Sequence, residues 1–237
     1  MKLPKISKEQ NKVVNAIKYN NIIVNSVAGS GKTSVNLFIA LAYQNKKILL
    51  LTYNSKLKFE TRSRVKKIGL SNIEVHSYHS FCVKYYNHLC FTNATIKKIL
   101  KTKKKPLKIF QYDILILDES QDLTELYYEL ICKIYKDNND DHTKICIVGD
   151  QYQSIYGFNG SDKRFLIYSK KIFNFNKYKW IDAQLSYSFR ITHEMAVFIN
   201  NCMLHKQLIY SKKISNIKPK YIICDCFKPN KSIIFNE

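Results

Sequence analysis

The chain has 237 residues, room for one large domain or for one domain and part of another. A hydrophobic content of 46% supports a sizeable core and excludes wholesale disorder. Its 39 basic and 18 acidic residues give a net charge of +21, so a polyanion is the expected partner, nucleic acid before an anionic membrane.

Lys, Asn, Ile and Tyr are all abundant while arginine occurs only at Arg62, Arg64, Arg164 and Arg190. Biased base composition therefore explains part of the charge. The seven cysteines are scattered and odd in number, the usage of a reduced intracellular protein. Cys224-Asp225-Cys226 has no second ligand pair at zinc spacing and reads as part of a strand. No apolar run approaches the ~18 residues of a membrane span, and the N-terminus has no signal-peptide core. The expected compartment is intracellular (cytoplasmic, nuclear or viral-factory) and not the secretory route.

The predicted elements alternate. A helix starts near Lys8, a strand covers Asn21–Asn25, and a helix starts at Lys32. A strand at Lys47–Leu51, a helix from Lys56, a strand at Ile73–His76 and a helix over Tyr78–His88 follow. Strands at Ile114–Leu117 and Ile145–Val148 flank a helix at Leu123–Tyr135, Trp180-Ile181 marks a later strand, and His193–Met203 reads as a helix. Short runs of Ile, Leu and Val separated by helices predict an α/β fold with a parallel sheet covered on both faces. Lys97–Lys108 reads as an exposed basic linker, a solvated face or a phosphate contact. Lys206–Lys220 is polar and leads to a strand-like Tyr221–Cys224.

The first strand runs into Ser26-Val27-Ala28-Gly29-Ser30-Gly31-Lys32-Thr33 and then a helix. Such a loop lets backbone N–H groups curl around phosphate oxygens at a helix N-terminus. Lys32 is placed to reach the β and γ phosphates and Thr33 to put its hydroxyl on Mg²⁺. Ser26 stands where the strict pattern has glycine. A second buried strand ends in Asp118-Glu119-Ser120-Gln121-Asp122. Asp118 can hold Mg²⁺ through water, and Glu119 can orient and deprotonate an attacking water. Acidic residues also favour the first turn of the following helix, a role that suffices for Asp122. Ser7 and Gln10 make a candidate capping box. After a third strand, Val148–Gly160 supplies Asp150, Gln153 and the aromatics Tyr152, Tyr156 and Phe158, a combination suited to link a nucleotide to stacked bases.

In this order the motifs resemble those of superfamily 1 DNA helicases of the UvrD/Rep type, from Ile6 to about Arg190. Ile6–Gln10 is similar to the Q motif, so the resemblance implies that Gln10 reads adenine. Ser26–Thr33 corresponds to motif I, which implies nucleotide contacts from Ala28, Gly29, Ser30, Gly31, Lys32 and Thr33, with Ser34 where relatives often place an arginine. Thr52–Lys56 and Ser77–Phe81 resemble motifs Ia and Ib and imply that Tyr53 and His79 lie along single-stranded DNA. Asp118–Asp122 is similar to motif II. In motif III, Gln153 is implied to sense the γ-phosphate and Tyr156 and Phe158 to lie by the bases. Leu185–Arg190 resembles motif IV, placing Phe189 near adenine and Arg190 on the γ-phosphate. A guanidinium neutralising transition-state charge is also sensible chemistry for Arg190. Taken alone, the aromatics read as core and His79 as a structural histidine.

The resemblance implies a P-loop, RecA-like fold binding ATP and Mg²⁺, acting on single-stranded DNA, with RNA left open. Three departures accompany it. Asn159 stands where motif III commonly continues with arginine. The insertion near 89–111 has room for little more than one helix and a basic loop. Nothing after Arg190 resembles motifs V and VI. The expected organisation is a RecA-like ATP-binding domain over 1–184 and the incomplete start of a second over 185–237, served by a C-terminal helicase half or another subunit. Two other readings compete: a non-catalytic nucleic-acid-binding or partner-docking module with a vestigial nucleotide site, and a small P-loop kinase or other NTPase. The last leaves Val148–Gly160 unexplained.

Overall fold

The computed structural model describes residues 3–138 and 141–220. The strand read at Tyr221–Cys224 and the Cys224-Asp225-Cys226 pattern lie outside these residues. The elements are α1 (Lys8–Ala16), β1 (Asn21–Ser26), α2 (Lys32–Ala42), β2 (Ile48–Thr52), α3 (Ser55–Ile68), β3 (Ile73–Ser77), α4 (Tyr78–Tyr85) and α5 (Asn93–Lys101). They continue with β4 (Ile114–Leu117), α6 (Glu125–Asp137), β5 (Lys144–Gly149), the short α7 (Arg164–Ile167) and α8 (Ser169–Ile172), β6 (Trp180–Leu185), β7 (Tyr187–Ser188), α9 (His193–Phe198) and β8 (Tyr210–Ser211).

Six strands form one parallel sheet in the order β3-β2-β4-β5-β1-β6. Side chains alternate across a strand, so each buried strand feeds two cores. Leu49, Leu51, Leu115, Leu117, Ile145 and Ile147 face the core shared with α4, α5 and α6. Ile48, Leu50, Ile114, Ile116, Cys146 and Val148 face the core shared with α1 and α2. This is the parallel α/β arrangement expected from the alternating pattern, and it agrees with the P-loop, RecA-like fold that the resemblance implies. Among the described residues no helix is long and apolar enough to cross a membrane.

Local chemistry sets the helix starts. Ser7, Asn54, Ser77, Thr92, Thr124 and Thr192 each accept a backbone N–H of the helix that follows. The Thr124 cap moves the start of α6 from the expected Leu123 to Glu125. The helix expected to reach His88 stops at Tyr85, where Tyr86 and Asn87 both donate to the Cys82 carbonyl at 2.8 Å and the chain turns away. α9 continues as a π-helical turn over Ile199–Leu204.

The basic linker expected at Lys97–Lys108 is corrected: its first part is the second half of α5. Ile96 and Ile99 are buried and Leu100 packs against the same core, an apolar stripe of helical spacing that interleaved lysines hide. The pairing of β7 with β8, beyond the six-stranded sheet, carried no sequence signal, since each has two residues.

Candidate functional site

All of the candidate residues that follow strands sit at the carboxyl edge of the sheet, where open α/β sheets bind ligands. The strand order sorts them. His79 follows β3, Tyr53 follows β2, Asp118 and Glu119 follow β4, Asp150 and Gln153 follow β5, and the phosphate loop follows β1. Phe189 and Arg190 come soon after β6.

The loop after β1 is held for close approach. Gly29 and Gly31 have φ of +72° and +86°, in the left-handed region that favours glycine. A Cβ at Gly29 would come within 2.5 Å of Arg190 Cβ, and one at Gly31 within 2.7 Å of Gln10 Nε2. No side chain caps α2, so its first N–H groups face the loop, with Thr33 and Ser34 half-buried in its first turn. Ser30 is 2% exposed and its hydroxyl has no hydrogen-bond partner, an orphan beside a cradle of N–H donors. Ser26, the departure from the glycine pattern, donates its hydroxyl to the Gly149 carbonyl at 2.6 Å and ties β1 to β5.

Lys32 Nζ lies 3.1 Å from Glu119 Oε2. Asp118 is buried beside them, and burial together with the Glu119 charge pushes its carboxyl up to about 7. Burial and Glu119 likewise push Asp122 up to about 6, and burial raises Asp150. Carboxyls so crowded favour a cation. Among the described residues no group of three or more ligating side chains forms a ready-made metal cage. Mg²⁺ needs none, being ordinarily held by one or two carboxylates together with phosphates. The donor set of Asp118 and Thr33 at an open helix N-terminus fits that arrangement.

Gln121 joins the two strand-end loops. Its Nε2 donates to Glu119 Oε2 at 2.9 Å and to Asp122 Oδ2 at 3.1 Å, while its Oε1 accepts from Asp150 N–H at 3.0 Å. Asp150 in turn accepts from Gln153 Nε2 at 2.8 Å and from Tyr152 N–H at 3.0 Å. Gln153 thus points at Asp150 in this structure, one hydrogen bond removed from Gln121.

From that loop an aromatic ladder runs toward β2 and β3. Tyr156 stacks on Tyr53 with centroids 5.4 Å apart, and Phe158, 81% exposed, lies 6.1 Å beyond Tyr156. Tyr53 meets Tyr127 edge-on at 6.1 Å, and Tyr127 meets His79 edge-on at 6.0 Å. Tyr127 therefore touches two of the candidates and links His79 to the run of Tyr53, Tyr156 and Phe158. Burial lowers the His79 pKa.

The other end of the loop is closed by the chain after β6. Ser188 donates its hydroxyl to the Ala28 carbonyl at 2.8 Å, and Phe189 N–H donates to the Gly29 carbonyl at 2.9 Å. The Glu9 carboxylate accepts Ser186 N–H at 2.9 Å and also the Ser186 hydroxyl. Gln10 does two jobs. It completes the capping box with Ser7, and its Nε2 donates to the Ser30 carbonyl at 3.3 Å. A cavity of about 570 Å³ lies beside it, lined by Lys8, Glu9, Tyr187, Phe189, Lys212 and Lys213 among others. The Arg190 side chain is exposed.

The family model of the AAA domain matches residues 10–159. The chain belongs to this family. The matched AAA domain residues begin at Gln10 and run through the phosphate loop, the Asp118–Asp122 motif and Phe158. The chain is similar to the RecBCD enzyme subunit RecB of Buchnera aphidicola subsp. Acyrthosiphon pisum, 26% identical over 246 aligned residues, covering 94% of this chain and 21% of that protein. It is also similar to F-box DNA helicase protein 1 of Schizosaccharomyces pombe, 30% identical over 136 residues, covering 57% of this chain and 13% of that protein. These relatives bear out the resemblance to superfamily 1 helicases. The chain spans about a fifth or less of the length of the curated relatives it matches. Among solved structures, the Pif1 helicase from Candida albicans aligns with a TM-score of 0.46 at 14% identity, covering 76% of this chain and 40% of that one.

Three residues that sequence reasoning passed over are Glu9, Gln121 and Tyr127. Glu9 and Gln121 lay inside quoted motifs, but a polar residue next to a motif does not announce which loop it will bridge. Tyr127 sits on the buried face of α6, inside a predicted helix that belongs to no motif.

Proposed function

We propose that the chain is the ATP-binding portion of a superfamily 1, UvrD/Rep-like DNA helicase, coupling ATP hydrolysis to single-stranded DNA binding and translocation when joined to a second RecA-like domain. Residues 1–184 form the ATP-binding domain in this reading, and 185–237 begin the second. The observation that carries it is the Gln121 bridge. One side chain touches both the carboxylates beside the phosphate loop and the backbone of the loop that bears the stacked aromatics.

Ala28–Gly31, Lys32 and the open N-terminus of α2 receive the phosphates. Thr33 and Asp118 hold Mg²⁺, which when bound supplies charge to the phosphate oxygens. Glu119 orients the attacking water and takes its proton. Gln153, next to the carboxylates through Asp150, senses the γ-phosphate, and Arg190 neutralises charge there once its exposed side chain turns inward. Phe189 lines the cavity in which the adenine is placed, and Gln10 follows its lining residues Lys8 and Glu9 in the chain. Tyr53, His79, Tyr156 and Phe158 meet the DNA, Phe158 from the outside and the others from the ladder. The non-catalytic module is the less favoured reading, because the lysine, both carboxylates and the threonine that hydrolysis needs are all present on one edge of the sheet.

A DNA-stimulated ATPase assay tests the proposal. Single-stranded DNA is expected to raise turnover by the chain, and Lys32→Ala to abolish it. Absence of turnover even with a C-terminal helicase half supplied would leave only the binding module.

A further inference from the structure

We propose that the segment Val75–Tyr112 carries a docking surface for an acidic, amphipathic protein segment. It contains eight lysines and neither Asp nor Glu; Lys84 is paired with Glu74, the residue just before the segment, at 2.6 Å, which leaves the seven lysines of Lys97–Lys108 as the basic surface. α5 turns Ile96 and Ile99 into the core and leaves Lys97, Lys98 and Lys101 exposed. Its C-terminal turn holds Lys103 at a φ of +46°, with Lys103 N–H donating to Leu100 and Lys104 N–H to Ile99, so the lysines sit on a fixed turn.

Beside this charge lie large apolar side chains that the fold leaves in water. Ile109 is 97% exposed, Leu89 73%, Phe91 68% and Leu107 47%. Leu107 N–H donates to the Tyr85 carbonyl at 2.7 Å, which seats the returning strand of chain next to the turn that carries Leu89 and Phe91. Lysines around exposed apolar groups match a partner with carboxylates on one face and apolar residues on another.

Nucleic acid fits the lysines alone. Phosphates take no benefit from aliphatic groups, and of the four apolar residues only Phe91 could stack on a base. A second copy of the chain, itself at +21, is a poor match for the lysines.

Fluorescence anisotropy with the full chain tests this. The probes are a designed Leu/Glu helix with its leucines on one face, a peptide of the same composition with the leucines scattered, and a short DNA duplex. The one-faced helix is expected to bind about tenfold tighter than the scattered one. Leu89→Ser with Ile109→Ser removes that advantage without lowering Tm, both side chains being exposed. Lys105→Glu with Lys108→Glu weakens both peptides and reduces the salt dependence. Equal binding of the two peptides, or unchanged binding by the serine variant, overturns the proposal. So does displacement of the helix by duplex DNA with sensitivity to the glutamate variant alone, which would make the surface a nucleic-acid contact.

Discussion

Lys32 and Glu119 form an ion pair of 3.1 Å, with 12% and 18% of their side chains exposed. Each residue thereby occupies the other's proposed partner site: the lysine that should meet phosphate neutralises the carboxylate that should activate water. Glu119 itself sits at a φ of +53°, in the left-handed region that residues other than glycine rarely adopt. Under the proposed function, arrival of a triphosphate would give Lys32 a stronger partner and release Glu119.

The two residues should therefore fail differently. Lys32→Ala is expected to weaken binding of a fluorescent ATP analogue by about tenfold or more. Glu119→Gln keeps the hydrogen bond from Gln121 and removes the base, so binding survives while turnover falls by roughly 10²–10⁴. Analogue titration and phosphate release measure the two effects. Wild-type turnover by Glu119→Gln would sink its assignment as base.

Asp118 carries a stability cost that depends on pH. Its folded pKa, about 7, lies above its ordinary value of 3.8, because burial and Glu119 disfavour the charge. The folded state then holds a proton that the unfolded state has released, so stability falls as pH rises from about 4 to about 7 and levels above that. Asp122, pushed up to about 6, contributes in the same direction. Asp118→Asn is expected to be more stable than wild type at pH 8 and about equal to it below about pH 4, where the wild-type carboxyl is protonated in both states. Denaturant melts at both pH values decide this, and the same variant should lose Mg²⁺-dependent ATPase activity.

Gln121→Ala should uncouple the two loops. It removes donors from Glu119 and Asp122 and the acceptor of Asp150 N–H, all buried or nearly so, at a cost of about 1–3 kcal/mol. ATP-analogue binding is expected to persist while stimulation of ATPase by single-stranded DNA drops. Stimulation equal to wild type in a folded variant would exclude the bridge as the coupler.

Along the ladder, Phe158→Ala and Tyr156→Ala separate exposure from packing. Each is expected to weaken binding of a labelled single strand by ~1–3 kcal/mol. Only Tyr156→Ala should also lower Tm, because Tyr156 stacks on Tyr53 whereas Phe158 is 81% exposed. DNA titrations beside thermal melts read both.

A fourth network, at the β3 edge, responds to acid. The hydrogen bond to His76 holds the Glu74 carboxyl down to about 2, with help from Lys84 and Tyr85 against the cost of burial. A carboxyl depressed on folding stabilises above its ordinary pKa of 4.5, and that contribution is lost as pH falls from there to about 2. Glu74→Gln should flatten this part of the acid-unfolding curve, and an unchanged curve would show that the network adds nothing.

What was legible in the sequence was the part written in short-range code. Glycines at two left-handed positions, a lysine and threonine opening a helix, and carboxylates ending an apolar run each follow from local chemistry, and so does the alternation of Ile, Leu and Val that makes a parallel sheet. α5 was misread for the same reason, since lysines at its exposed positions masked a three-residue apolar stripe. Strand order is not local. Nothing in Asp118–Asp122 or Val148–Gly160 says that β4 and β5 are neighbours, and only that adjacency lets one glutamine side chain span both loops. The sequence by itself determined which groups could meet phosphate, metal and bases. The tertiary structure decided which of them touch, setting Lys32 on Glu119, Gln121 between two loops and Tyr127 at the centre of a ladder, because hydrogen bonds and ring contacts of a few ångströms are fixed by packing across the sheet and not by separation along the chain.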